Sequence, residues 1–155
     1  MSEVIQEVEV ARIQPGDNDR TDFDAQGLQN LAESLEQHGL AQPITVRPYG
    51  DGFQIVAGER RWRAANLLGW ETIPAIVREL GDEAASSVML LENIQRAELN
   101  PMEEARAYQK RMEQFGWDEE RVAEVANVAV QRVRLRLTLL DLVPEAQRLV
   151  AKGQM

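Results

Sequence analysis

The chain has 155 residues, 44% hydrophobic and 28% charged, a globular composition, with one histidine, no cysteine and a net charge of -9. Without cysteine there is no disulfide scaffold, Cys–zinc site or thiol catalysis, and with His38 alone there is no His-rich metal site and no His–His acid–base pair. The longest purely apolar run, Val88 to Leu91, is too short to span a bilayer, and the acidic start lacks the basic region of a signal peptide, so the chain reads as soluble and cytoplasmic.

Apolar–polar alternation over Val4 to Ile13 predicts a first strand. Residues 14–24 are rich in Pro, Gly, Asp and Asn and read as a turn. Asp24 is placed to cap a helix to about His38, with Leu28, Leu31, Ala32 and Leu35 on one face and Gly39 as its stop. Pro43 to Arg47 and Phe53 to Val56 form a hairpin about Tyr49-Gly50-Asp51-Gly52. A helix follows from about Glu59 to Leu68, then a strand over Thr72 to Arg78. Pro74 in it suggests an edge or the first residues of a strand.

From Asp82 onward the pattern is helical, with Asp82 as a cap. Asn100-Pro101-Met102-Glu103 combines a cap, a first-turn proline and a Glu three residues after the cap. That helix ends at Gly116. Asp118 caps the next, with Val122, Val125 and Ala126 inward. A break near Asn127-Val128 precedes a helix over about 130–140, and Pro144 opens a last one. The expected fold is α+β over residues 1–80, then all-helical over 81–155, without internal repeats.

Three clusters carry candidate chemistry. In Gly58-Glu59-Arg60-Arg61-Trp62-Arg63 a glycine stands between a strand and a helix, where backbone amides can face an anion. Three arginines at the positive end of a helix dipole call for a compensating anion, and their forked donors match phosphate, although a solvated surface is the competing reading. Arg60 and Arg63 share a helix face and Arg61 points elsewhere. In Glu92-Asn93-Ile94-Gln95-Arg96, a carboxylate and amide oxygens suit Mg²⁺, which takes few protein ligands; a capped polar helix end would look the same. The helix pair 118–127 and 130–140 is compatible with a helix-turn-helix or with an ordinary helical hairpin. Gln131, Arg132, Arg134 and Arg136 put local positive charge on its second helix, with no acid before Asp141. The net charge of -9 argues against broad, non-specific DNA binding while allowing such a patch. His38 reads as a helix C-terminal residue, and Trp62, Trp70 and Trp117 as packing residues.

Together, Leu31-Ala32-Glu33-Ser34-Leu35 through Gly39-Leu40-Ala41-Gln42-Pro43-Ile44-Thr45-Val46-Arg47, Val56 through Ala65, and Glu92 through Arg96 followed by Leu99-Asn100-Pro101-Met102-Glu103-Glu104-Ala105 resemble the ParB family of chromosome and plasmid partition proteins. The resemblance implies a ParB/sulfiredoxin-like N-terminal domain followed by a helix-turn-helix domain. It implies a CTP-dependent molecular switch that binds CTP with Mg²⁺, hydrolyses it slowly, and closes as a homodimeric clamp sliding on DNA from a centromere-like site. A ParA-type ATPase partner and a nucleoid- or plasmid-associated location come with it. Carried onto this chain, Gly58, Glu59, Arg60, Arg61 and Arg63 would line the triphosphate site. Glu92 and Asn93 would meet the metal and phosphates, with Arg96 nearby, and Gln42 and Thr45 would lie nearer the nucleoside. Glu92 or Glu59 would orient the attacking water.

The chain departs from the family pattern at Asn18-Asp19-Arg20, where Gln-Pro-Arg is usual. It also departs at Ala126-Asn127-Val128-Ala129, which lacks the turn glycine of a helix-turn-helix. The family's C-terminal dimerisation domain is absent from these 155 residues, and a truncated chain is the favoured reading. Two alternatives stand beside the switch: a related-fold enzyme using another nucleotide (a kinase or nuclease), and a non-enzymatic DNA-binding adaptor.

Overall fold

The computed structural model describes residues 4–16, 19, 25–40, 42–96, 99–142 and 144–152. The chain divides into two compact units. Among the described residues the first holds 4–16 and 25–85, and the second holds Asp19 and 86–152. The division thus falls five residues beyond the expected boundary at 80, and Asp19 belongs with the helical half.

The first unit is a five-stranded mixed sheet with two helices. Its strands are β1 (Ile5–Glu9), β2 (Ile13–Gln14), β3 (Ile44–Tyr49), β4 (Gly52–Ala57) and β5 (Thr72–Val77), in the order β1-β5-β3-β4-β2. The first strand expected over residues 4–13 is broken. A 3-10 turn over Val10–Arg12 ends β1, which pairs with β5, and lets Ile13 and Gln14 join β4 across the sheet. Alternation of apolar residues survives such a break, because Val8, Val10 and Ile13 still bury into one core with Ile44, Val46, Ile55 and Ile73. Trp62 and Trp70 pack against that core, as their apolar bulk predicts.

The expectation that Pro74 marks an edge holds only locally. β5 has β1 on one side and β3 on the other, but the parallel ladder with β3 starts at Ala75. Pro74 therefore sits where β1 alone flanks the strand, and its missing N–H costs no ladder bond on the β3 side. α1 (Ala25–His38) and α2 (Glu59–Leu67) pack through Ala32, Leu35 and Ala64. The expected cap of α1, Asp24, lies outside the described residues.

The second unit is helical. α3 (Asp82–Gln95) belongs to it from Ser86 onward, its first turn counting with the first unit, and Asp82 is its first helical residue rather than the flanking cap. α4 (Pro101–Phe115) starts with the full capping box: Glu103 N–H donates to Asn100 Oδ1 (2.8 Å) and Asn100 N–H donates to Glu103 Oε1 (2.9 Å). α5 (Glu119–Ala126) is capped by Asp118, which accepts the Arg121 N–H at 2.8 Å. α6 (Val130–Thr138) ends two residues before the expected 140, where the backbone tightens into a 3-10 turn over Leu139–Asp141. α7 (Pro144–Ala151) closes the unit. Leu90, Ile94, Ala107, Tyr108, Trp117, Val122 and Val133 form its core. Among the described residues, no helix is long and apolar enough to cross a membrane.

Candidate nucleotide and DNA sites

Gly58 has φ +98°, the left-handed region, and stands between β4 and α2. A Cβ there would lie 2.7 Å from Ile44 Cγ2 and 3.1 Å from Ile44 Cβ, in the fully buried floor of the sheet. Both backbone angle and space thus require glycine. Just upstream, the β3–β4 register shifts between Thr45 and Val46, which pair with Ala57 and Ile55. This bulge leaves Val56 as the extra residue and turns the end of β4 toward the start of α2.

The three arginines behave differently, including Arg60 and Arg63, whose spacing puts them on one face. Arg61 donates from Nη1 to the carbonyls of Gln42 (2.9 Å) and Pro43 (3.2 Å), tying α2 to the chain entering β3. Arg63 pairs with Glu59 Oε2 at 3.2 Å. The other Glu59 oxygen accepts the Gly16 N–H at 3.3 Å. Arg60 makes no hydrogen bond or ion pair among the described residues. Arg60 is therefore the one cation of this cluster with no partner among the described residues, whereas both Glu59 oxygens already have partners. Gln42 is exposed, and Thr45 is half-buried in β3 between Ala57 and Ile76.

In the second unit Glu92 Oε2 pairs with Arg96 Nε at 3.0 Å, one turn along α3. Its other oxygen is free of protein hydrogen bonds among the described residues. Asn93 Nδ2 donates to Asp19 Oδ2 at 3.0 Å. Among the described residues no three His, Cys, Asp or Glu side chains converge to form an all-protein cage. Two oxygens from Glu92 and Asn93 suit the small protein share of an Mg²⁺ shell filled by phosphate and water.

Asp19 was not legible as a functional position. It is buried, and Arg111, fully buried, grips both its oxygens at 2.8 Å; Lys110 adds a contact at 2.7 Å. Burial alone would raise the Asp19 carboxyl, but the hydrogen bonds and charge of Arg111, then of Lys110, outweigh it and hold the group below its ordinary range.

The positive patch expected on α6 is corrected by the fold. The acids missing from its own sequence come from α4 and α5. Arg132 forks onto Glu104, Nε to Oε2 and Nη2 to Oε1, both at 2.9 Å. Arg136 Nε lies 3.3 Å from Glu104 Oε1, and Arg134 meets Glu119 at 3.2 Å and Glu120 at 3.1 Å. Three arginines thus face three carboxylates. Gln131 is exposed. Glu104 is buried and also accepts the Tyr108 hydroxyl at 2.5 Å. Its burial pushes upward, and Arg132, Tyr108 and Arg136 together pull its pKa below the usual value. Tyr108 is pushed well up by burial and by Glu104. One sequence signal for this cluster exists: Glu104, Tyr108 and Arg111 recur at i, i+4 and i+7 on the face of α4 that carries Ala105 and Ala107 inward.

The missing turn glycine is also explained. Asn127 takes φ 57°, ψ 49°, the left-handed conformation that closes the turn between α5 and α6. Asn is among the residues that reach this region at modest cost, so it replaces glycine here.

With this geometry in place, comparison with known proteins identifies the class. Residues 1–94 match the ParB N-terminal domain and residues 97–155 the ParB HTH domain. The chain belongs to the ParB family. It is 44% identical over 137 residues to the probable chromosome-partitioning protein ParB of Pseudomonas putida, a match covering 88% of this chain and 47% of that protein. The chain thus spans about half the length of the curated relatives it matches. Its fold resembles the C-terminally truncated ParB of Caulobacter crescentus complexed to the centromeric parS site, with TM-score 0.70, 38% identity, and coverage of 97% of this chain and 79% of that one. It also resembles the same protein complexed with CTP-γ-S, with TM-score 0.56, 39% identity, and coverage of 97% and 86%.

Proposed function

We propose that this chain is the nucleotide- and DNA-binding part of a partition protein that works as a CTP-dependent switch. The observation that carries the reading is the start of α2: a left-handed Gly58 pressed onto Ile44, followed by Arg60, which has no partner among the described residues. First-turn amides, which have no helical carbonyl to serve them, and a guanidinium with no partner among the described residues suit a triphosphate. The likeness to a relative complexed with CTP-γ-S supports CTP as the nucleotide.

Unit by unit, the assigned roles are these. In the first, Gly58 and Arg60 meet phosphate oxygens, and Arg63 supplements them. Arg61 and Glu59 brace the helix start, and Gln42 and Thr45 serve the nucleoside. In the second, Glu92 and Asn93 supply oxygens to Mg²⁺, and Arg96 adds charge. Mg²⁺, when bound, neutralises phosphate charge. The one Glu92 oxygen not paired with Arg96 would serve the cation and the water beside it, in preference to Glu59, whose oxygens are both engaged. No strong base is present, so hydrolysis relies on positioning and is slow.

DNA binding falls to the α5–α6 helix-turn-helix, supported by the likeness to a relative complexed with its centromeric site. Gln131 and Arg134, both exposed, are the contacts assigned on α6. Arg132 and Arg136 serve first to hold Glu104. Clamp closure as a homodimer, a ParA-type ATPase partner and nucleoid or plasmid association complete the proposal.

The test is calorimetric titration with CTP, ATP, GTP and UTP, each with Mg²⁺. Selective CTP binding, lost in Arg60→Ala with an unchanged melting temperature, is the expected result. Preference for another nucleotide, or an Arg60→Ala variant that binds normally, would overturn it.

A further inference from the structure

Asn93 presents an amide whose two ends look alike in shape but not in chemistry. The end facing Asp19 must be the NH₂, because a carboxylate only accepts, and the contact is 3.0 Å. That leaves Oδ1 directed away from Asp19, and no protein hydrogen bond to it exists among the described residues. Asn93 is half-buried and borders a cavity of about 210 Å³, so the amide is not packed into the core. Asp19 is itself locked. Arg111, with no exposed side-chain surface, donates to both its oxygens, and Arg111 is held in turn by the Ser86 carbonyl (3.3 Å) and the Ala107 carbonyl (3.1 Å). The chain Ala107–Arg111–Asp19–Asn93 therefore runs from the backbone of α4 to one side-chain amide on α3.

We propose that Asp19 and Arg111 are positioning residues that fix the Asn93 amide with its oxygen outward, as a ligand for a divalent cation. This rests on the nucleotide reading above for the cation's identity, but the orientation itself does not. Arg111 also ties α4 to the Ser86 carbonyl of α3 and Asp19 also pairs with Lys110, so the pair has a structural share that a melting measurement separates from its effect on Asn93. An apolar pair of similar volume would fill it at little cost in stability, or with a gain. An unlocked amide is free to turn its NH₂ toward the cation, and binding would then have to order it as well. Partners one step removed from a metal commonly govern tenfold or more of its affinity.

The test uses the 155-residue chain with Asp19→Leu and Arg111→Leu introduced together, so that neither charge is left buried alone. A retained melting transition confirms folding, and Asp19→Asn serves as a second, shape-conserving variant. The first readout needs no nucleotide: the side-chain NH₂ signals of Asn93 by NMR. The wild type should show a slowly exchanging proton pair with the proton bonded to Asp19 shifted from its free-amide position, and the double variant should show the pair at free-amide shifts and exchanging faster with water. Unchanged Asn93 signals would overturn the proposal.

The second readout is the Mg²⁺ midpoint for CTP binding. It should rise tenfold or more in the double variant, yet not rise further when the same changes are added to Asn93→Ala. An equal effect with and without Asn93 would mean that the pair acts elsewhere, and would overturn it. A wild type that binds no CTP would sink the nucleotide reading alone, and the NMR arm would still decide the orientation.

Discussion

Gly58 concentrates two demands at one residue. The backbone has φ +98° and the missing Cβ would fall 2.7 Å from Ile44. Gly58→Ala should therefore cost about 2–4 kcal/mol, from left-handed strain and overpacking together. A denaturant titration reads this, and a loss below about 0.5 kcal/mol, within the range of an ordinary surface change, would refute the account. The two buried carboxylates make a second prediction. Asp19 and Glu104 have depressed pKa values in the fold, so they stabilise it above the ordinary carboxylate range, and that contribution disappears as the pH falls through their folded values. Melting temperature should stay level from neutral pH to about 5 and fall steeply below about 4. Glu104→Gln should flatten that fall while lowering stability at neutral pH, because Arg132 and Arg136 lose their counter-charge and one of the two oxygens they share.

Elements were largely legible and their junctions less so. The Asn100 and Asp118 caps, the hairpin at residues 49–52 and the glycine before α2 all stand where residue chemistry put them, because caps and turns are local events. The break in the first strand was not visible, since a 3-10 turn at residues 10–12 leaves inward alternation intact. Arg132 and Arg136 read as a free basic face because their partner, Glu104, is 28 residues away from the nearer of them. Asp19 was hidden for the same reason, 92 residues from Arg111. Pairings at that distance leave no trace in spacing, and only a charged residue on an apolar face hints at them. Asn127 tests the element scale directly. Asn127→Gly should be neutral or slightly stabilising, whereas Asn127→Val should cost about 1–2 kcal/mol, read as melting shifts, because a branched side chain is poorly accommodated at positive φ.

At the scale of the molecule, the net charge of -9 and the pairing on α6 concern the same property. A binding face made of loose arginines leaves its counterions to the solvent. Here Glu104, Glu119 and Glu120 act as built-in counterions for Arg132, Arg134 and Arg136. An arginine that turns to a DNA phosphate exchanges one anion for another, and the carboxylate it leaves recruits a cation from solution. Part of the ion release that normally drives association is thereby cancelled. Each phosphate newly neutralised by a free arginine, such as an unpaired Arg134, would contribute about -0.9 to the log–log salt slope. DNA binding through α6 should show a shallower slope, and Glu119→Gln with Glu120→Gln should steepen it. On the proposed reading, the consequence would be a DNA contact that senses the shape and polarity of its site more than the ionic strength around it.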